Sequence, residues 1–203
     1  LERCLLLVND TPGVNARSII KPSPDAVGGA DIVIIPEVDP YEFSLSTDNY
    51  GSRYLGPWQF SGAAQFNNLA GIADRFEAQF VTTANPNELT YGYLGYDFPI
   101  NGLGTRLKFD ISQSDTEPGY LLDQFDVRGH SILYGTELAH PFIRTRTQNL
   151  FGTFRFDYRD LSSKNIVDAN TVEDRIASLR AGLDYNLYDT ALWNPAVNEA
   201  SLT

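Results

Sequence analysis

Charged and apolar side chains alternate along several segments of the chain. Between positions 106 and 111 the even residues are Arg, Lys and Asp, and the odd residues are Leu, Phe and Ile. Successive side chains of a β-strand point to opposite faces, so each such segment predicts one charged and one apolar face. The chemistry open to the charged face is ion pairing between strands and hydration of a polar surface. Its predicted members are Arg75, Glu77, Arg106, Lys108, Asp110, Glu137, Arg155, Asp157 and Arg159.

Residues that could support catalysis or bind metal are few and poorly spaced. His130 and His140 fall on one predicted strand, and at ~3.4 Å per residue they would lie about 34 Å apart, too far to share a metal. The acidic residues between positions 115 and 126 match no calcium-loop spacing, which favours a solvated loop. No Gly-x-Ser-x-Gly, phosphate-loop or His-Glu-x-x-His motif occurs. We therefore predict no enzyme, no cofactor and no metal site.

The charge and composition of the chain limit the classes of molecule that it can bind. The net charge of −11 argues against nucleic acid, because binding to phosphates requires a basic surface. The single cysteine, Cys4, lies in a short apolar run and favours a small packing residue over a reactive thiol. The longest apolar runs are far too short for a membrane-spanning helix.

The alternating segments predict long β-strands. Eight segments of this kind follow Tyr41, and the clearest is Leu150 to Arg159. A strand of this length fits the ~9–11 residues that a tilted strand needs to cross a bilayer, whereas a soluble sandwich needs only about five or six. The pattern therefore predicts an antiparallel transmembrane β-barrel meander. The residues expected to face lipid are Phe60, Phe66, Phe80, Leu107, Phe109, Ile132, Leu138, Phe154, Phe156 and Leu183.

Residues 1–38 have a different pattern. They predict the end of a helix at 1–8 and two strands at 14–20 and 31–38, which is too little to bury a core alone. We expect the C-terminal half of a small α/β domain here, followed by the N-terminal half of a barrel at 39–203. The chain is accordingly expected to be part of a longer protein.

The barrel segment is expected to stay open. An eight-stranded barrel has an interior filled by side chains, and the long charged residues of the inner face suit a wider lumen. We therefore expect unpaired edges at 41–48 and at 174–186, and a poorly ordered segment after about 187 without a further strand.

Four motifs resemble a known family. Residues 5–14, LLLVNDTPGV, resemble the helix-to-strand passage of the second POTRA domain in two-partner secretion transporters of the haemolysin-activator type. Residues 48–56, DNYGSRYLG, resemble the segment after the first barrel strand of that family. Residues 67–74 and 140–150 resemble two of its periplasmic turns. These motifs extend over residues 1 to about 186 in the order and spacing of the family.

The resemblance implies an outer-membrane translocator with periplasmic POTRA domains. Such a protein secretes a large partner exoprotein that carries an N-terminal secretion domain, and it is embedded in outer-membrane lipid. The charged face would then form a hydrated wall past which an unfolded polypeptide slides, although cross-strand pairing that stiffens the wall is the simpler role for any one residue.

A short β-rich segment is the candidate for exoprotein binding. It comprises Asp31, Ile32, Val33, Ile34 and Ile35. A strand edge here could capture an extended peptide through backbone hydrogen bonds, or it could simply pack the core of its domain.

Other functions remain open from the sequence. A passive porin would share the alternation but would have no POTRA-like segment. An assembly factor for outer-membrane proteins would also carry POTRA domains. A soluble β-sandwich binding module would not need strands of this length.

Overall fold

The computed structural model describes residues 2–24, 28–164, 171–189 and 196–203. The chain begins with helix α1 (Glu2–Asn9), followed by the antiparallel hairpin of β1 (Val14–Pro22) and β2 (Ala30–Val38). Pro12 and Gly13 end the helix, since proline cannot continue it and Gly13 adopts a φ of +69°. Asn9 fixes the start of β1, because its side chain accepts a hydrogen bond from the Ala16 N–H at 2.6 Å.

The rest of the described chain forms one antiparallel sheet. Its strands are β3 (Tyr41–Asp48), β4 (Gln59–Asn67), β5 (Arg75–Thr83), β6 (Leu89–Pro99), β7 (Arg106–Thr116), β8 (Arg128–Arg144), β9 (Gln148–Lys164), β10 (Val172–Asp189) and β11 (Ala196–Leu202). A short 3-10 helix, Tyr120–Phe125, lies between β7 and β8. The nine strands pair strictly in chain order. Among the described strands, β3 and β11 each have one neighbour, so the predicted open antiparallel meander is confirmed.

The prediction for the C-terminal end was wrong. Residues 196–202 form β11, which pairs with β10 from Leu183↔Leu202 to Asp189↔Ala196. The second edge of the sheet is therefore β11 rather than β10, and residues 190–195 lie outside the described part of the chain. The alternation in β11 is too weak to predict a strand. Pairing satisfies the backbone groups that β10 would otherwise leave open at its edge.

Three strands are longer than their apolar alternation suggested. β8 and β9 have 17 residues each and β10 has 18. The added residues at the loop end are largely polar, for example Ser162 and Ser163 on β9. They stay in the strand because backbone pairing with the neighbour continues beyond the apolar band.

The sheet has no conventional core. No hydrophobic side chain in the described segments is buried, whereas the buried polar side chains include Asp97, Asp110 and Asp157. The described residues also contain no helix long and apolar enough to cross a membrane.

The register defines two faces of this sheet. The charged face carries Arg75, Lys108 and Arg155, and the apolar face carries Phe80, Phe109 and Phe154 at the intervening positions. All residues that the sequence assigned to the lipid side share the apolar face, and many of them are about half exposed.

Candidate functional site

The candidate site is the charged face of strands β5 to β10. The register brings all of its sequence-predicted members to this one face. Opposed positions from β5 to β9 alternate in charge, and they read Arg75, Asp97, Lys108, Glu137 and Arg155. Directly opposed residues lie ~4.5–5.5 Å apart at Cβ, which is close enough for opposite charges to stabilise the pairing.

Arg155 is the centre of the network. Its two terminal nitrogens donate to the Asp110 carboxylate at 3.0 and 2.9 Å, and its Nε donates to Asp157 at 2.8 Å. A longer contact of 3.4 Å joins it to Glu137. The Asp110 and Asp157 side chains are only 2% and 6% exposed, so their charges depend on this arginine for compensation. Arg180, on the next strand, also donates to Asp157.

Gly135 makes the contact between Asp110 and Arg155 possible. It lies on β8, between the two strands that carry this pair. A Cβ at position 135 would lie 2.4 Å from both Arg155 Nη2 and Asp110 Oδ2. A methyl group at position 135 would therefore push apart the two side chains of an ion pair that spans an intervening strand.

A second cluster lies on β5, β6 and β7. The Lys108 Nζ donates to Glu77 at 3.0 Å and lies 5.7 Å from the centre of the Tyr93 ring. The Tyr93 ring covers Gly95, where a Cβ would lie 2.6 Å from the phenolic oxygen. The Tyr93 hydroxyl donates to the same Glu77 carboxylate at 3.4 Å. A glycine thus again creates the space that a polar network occupies.

Asp97 lies at the end of the charged face that is next to the turns 68–74 and 100–105. Its carboxylate accepts from Arg106 Nε at 3.0 Å and from Arg75 Nη2 at 3.2 Å. The Nη2 of Arg106 also donates to the Ala73 carbonyl at 3.1 Å, which ties the sheet to the β4–β5 turn.

Sequence reasoning missed Asp97 and Tyr93. The Tyr- and Gly-rich segment 89–98 showed no clear facing, although Tyr91, Tyr93, Gly95 and Asp97 keep a period of two. Arg159, in contrast, was predicted as a member of this face but takes no part in its ion pairs among the described residues. It lies on the charged face as predicted, but it is exposed and forms no ion pair with another described residue.

The remaining candidates are separate from this face. The strand containing Asp31 to Ile35 is β2, and four of those five side chains are exposed. His130 contacts Asp115 and His140 contacts Thr105, both at apolar-face positions and at opposite ends of β8. No group of three or more potential metal-ligating side chains occurs among the described residues.

The comparisons with known proteins identify the family. Residues 28–195 match the family of the haemolysin secretion/activation protein ShlB/FhaC/HecB. The chain belongs to this family. The resemblance to the haemolysin-activator family is thereby confirmed, and the chain carries part of an outer-membrane β-barrel.

Similar proteins agree with this assignment. The heme/hemopexin transporter protein HuxB of Haemophilus influenzae is 29% identical over 185 residues, which are 91% of this chain and 32% of HuxB. The chain thus spans about a third of the length of this relative.

Solved structures show the same fold. CdiB from Escherichia coli superposes with a TM-score of 0.73 at 20% identity, over 91% of this chain and 35% of CdiB. BamA from Haemophilus ducreyi, solved without POTRA domains 1–3, reaches a TM-score of 0.51 at 14% identity, over 95% of this chain and 39% of BamA. At these low sequence identities, the two structures support the assignment of the fold but not of a function.

Proposed function

We propose that the transporter containing this chain exports a large partner protein across the outer membrane by two-partner secretion. The observation that carries the proposal is the mutually neutralised charged face, taken together with membership of the ShlB/FhaC/HecB family. In the transporter this face lines the lumen, and the apolar face contacts lipid.

The electrostatics of the charged face suit a moving polypeptide. Most of its charges already have partners within the wall, as in the pairs of Lys108 with Glu77 and Arg155 with Asp110. A passing chain therefore finds hydrogen-bonding groups but few unpaired charges that would hold it. Across the described residues of β5 to β9 it also meets no exposed large apolar side chain to which unfolded segments would adhere, although Ile176 on β10 is half exposed on this face.

Two-partner secretion also requires a site that captures the exoprotein, and we place this site on β2. Asp31 to Ile35 pair with β1 on one side, and the other side of β2 has no partner strand among the described residues. Strand addition there would use backbone hydrogen bonds, as in other edge-strand complexes. This assignment puts residues 1–38 in the periplasm as a partial POTRA domain. The competing role for β2 is to pack the remainder of that domain.

The first test is removal of the transporter from its host. Deletion should eliminate a large protein from the culture medium, and re-expression of the full-length transporter should restore it. A passive channel would give ion conductance in planar bilayers without any such change in the secreted proteins, and that result would contradict the proposal.

The capture strand is tested by proline substitution. Successive N–H groups of a strand point to opposite sides, so one of Val33→Pro and Ile34→Pro removes a donor toward β1 and the other removes a donor at the free edge. The edge variant should reduce export while the hairpin and the amount of transporter in the membrane stay unchanged. Normal export by both variants would reject capture by β2.

A further inference from the structure

Helix α1 contacts the end of the sheet that carries the short turns 68–74, 100–105 and 145–147, which we call the rim. The polar contacts between helix and rim join residues that are far apart in the sequence. Asp10, just after the helix, accepts two hydrogen bonds from Arg144 at the end of β8, at 2.8 and 2.6 Å. A third Arg144 nitrogen donates to the buried Asn149 at 2.8 Å, which aims the guanidinium at Asp10. This is a bidentate, charge-assisted pair between the helix and the rim of the sheet.

The first turn of the helix contacts the same rim. Arg3 donates to the carbonyls of Pro141 on β8 at 2.7 Å and of Leu103 on the β6–β7 turn at 3.1 Å. Glu2 accepts from the Arg146 N–H at 2.9 Å. Both ends of α1 are therefore bound near the β8–β9 turn, at the end of β8 and at Arg146.

A second attachment lies in the linker between β2 and β3. The Asn67 side chain donates to the Asp39 carbonyl at 2.9 Å, and the Asp39 N–H donates to the Gly13 carbonyl at 2.8 Å. A Cβ on Gly13 would lie 2.4 Å from the Asp39 oxygen and 2.5 Å from Asn67. The hairpin is thus held beside the rim at its base as well as through the helix.

The attachment through α1 combines polar contacts with an apolar one, in which Leu7 lies so close to Gly104 that a Cβ there would be 2.5 Å from the Leu7 Cδ2. No residue of α1 is buried, and the side chains of Arg144 and Asp10 are 17% and 33% exposed. A bidentate pair between partly hydrated groups fixes geometry but can be replaced by water without exposing a core. The charged pair therefore supplies the directional contact that fixes the orientation of the helix on the sheet.

We propose that Asp10 and Arg144 are positioning residues, which hold the β1–β2 hairpin at the mouth of the barrel so that a captured chain is delivered to the charged face. The proposal rests on the proposed secretion function. It differs from a purely structural role because it predicts loss of export from a barrel that is fully folded and inserted. Release of the pair frees the hairpin and uncouples capture from passage.

The first experiment measures the position of the hairpin and is independent of export. Spin labels are placed at Ser18→Cys on β1 and Thr147→Cys on the β8–β9 turn of the full-length transporter, with Cys4→Ser to remove the native thiol. We expect one narrow distance distribution in the otherwise native protein and broad distributions in Asp10→Arg and Arg144→Asp. The double reversal, Asp10→Arg with Arg144→Asp, should restore the narrow distribution.

The second experiment measures export of the protein that disappears from the medium on deletion of the transporter. Each single reversal should lower export on the order of tenfold, within the ~5–150-fold range typical of coupled sites. The double reversal should recover most of it. Arg128→Asp is the matched control, because Arg128 is at the other end of β8 and pairs with Asp126 and Glu117 on the exposed surface. It should export normally.

The outcomes separate the two proposals. Narrow distances in the single reversals, or broad distances with undiminished export, would overturn the positioning role. Failure of the double reversal to restore either quantity would also overturn it. If the native transporter exports nothing, the proposed function fails, while the distance measurement still decides whether the pair holds the hairpin.

Discussion

The two faces of the nine-stranded sheet are built on opposite principles. On the charged face, the buried side chains include carboxylates such as Asp110, which are desolvated and held by specific arginine contacts. On the apolar face, large side chains such as Phe109 and Phe154 are about half exposed and contact no second layer. The charged face is stabilised by contacts between specific pairs of side chains, whereas the apolar face is stabilised by the apolar medium that surrounds it. A sheet with buried charges on one face and exposed apolar side chains on the other is stable only where an apolar medium such as lipid covers the apolar face.

The difference predicts how each face responds to substitution. The charged face should be sensitive to any change that leaves a buried charge without its partner. The apolar face should tolerate changes of shape but not of polarity. Four measurements of denaturant unfolding, made on the full-length protein in lipid, separate these behaviours, and they follow in decreasing order of expected effect.

The largest effect is expected at the centre of the charged network. Asp110→Ala leaves Arg155 with a diminished set of carboxylates, and loss of one member of a buried pair costs about 3–5 kcal/mol of the free energy of unfolding. Arg155→Met should cost at least as much, because it leaves the buried carboxylates of Asp110 and Asp157 without this arginine. Asp123→Ala, on the exposed 3-10 helix, is the control and should be close to neutral. Equal costs for Asp110→Ala and Asp123→Ala would show that the network does not stabilise the wall.

The apolar face should be sensitive to charge. Phe109→Arg would place a cation in the lipid and should cost ~2–4 kcal/mol near the bilayer midplane. Ser112→Arg is a matched change on the charged face of the same strand, and it should cost far less. Lys108 on the same face is not a suitable control position, because its side chain is already bound to Glu77. Similar losses in both variants would contradict the assignment of the faces.

The glycines of the sheet provide an intermediate effect. Gly135→Ala forces Asp110 and Arg155 apart and should cost about 1–3 kcal/mol, the usual penalty for overpacking. Gly92→Ala adds a methyl group that meets nothing within 4 Å, so it should be neutral or slightly stabilising. If both variants behave alike, the space at Gly135 is not required.

The smallest effect concerns Asp74, at the β4–β5 turn. Burial of its carboxylate opposes ionisation, but hydrogen bonds from the Ala70 N–H and the Tyr96 hydroxyl outweigh this and lower its pKa below 3.8. The folded state therefore binds fewer protons there than the unfolded state. Its contribution to stability is full above the ordinary pKa and is lost as the pH falls through the lowered value. Asp74→Asn should flatten the decline in stability below pH ~4, while an unchanged acid profile would exclude this role.

Much of the sheet follows from local pattern. Alternation in segments such as 103–112 and 150–159 predicted both the strands and the faces of their side chains, because strand geometry gives a strict period of two. Prediction failed where pattern was weak. Asp97 was missed among small and aromatic neighbours, and β11 was missed because its formation depends on the edge of β10 rather than on its own residues.

The contacts within the charged face could not be derived from sequence at all. Alternation places Asp110 and Arg155 on the same face, but it says nothing about a bidentate pair across β8. That contact requires the register of three strands and an intervening glycine. Likewise, nothing in the local sequence relates Asp10 to Arg144.

The sequence by itself determined most of the strands and their two faces, and its motifs indicated the family of this protein, because these are local properties of residue type and spacing. Only the tertiary structure decided which charges neutralise each other, that residues 196–202 pair with β10, and how the helix is attached to the rim. These features depend on strand register and on contacts between residues far apart in the chain, and register is set jointly by all paired strands.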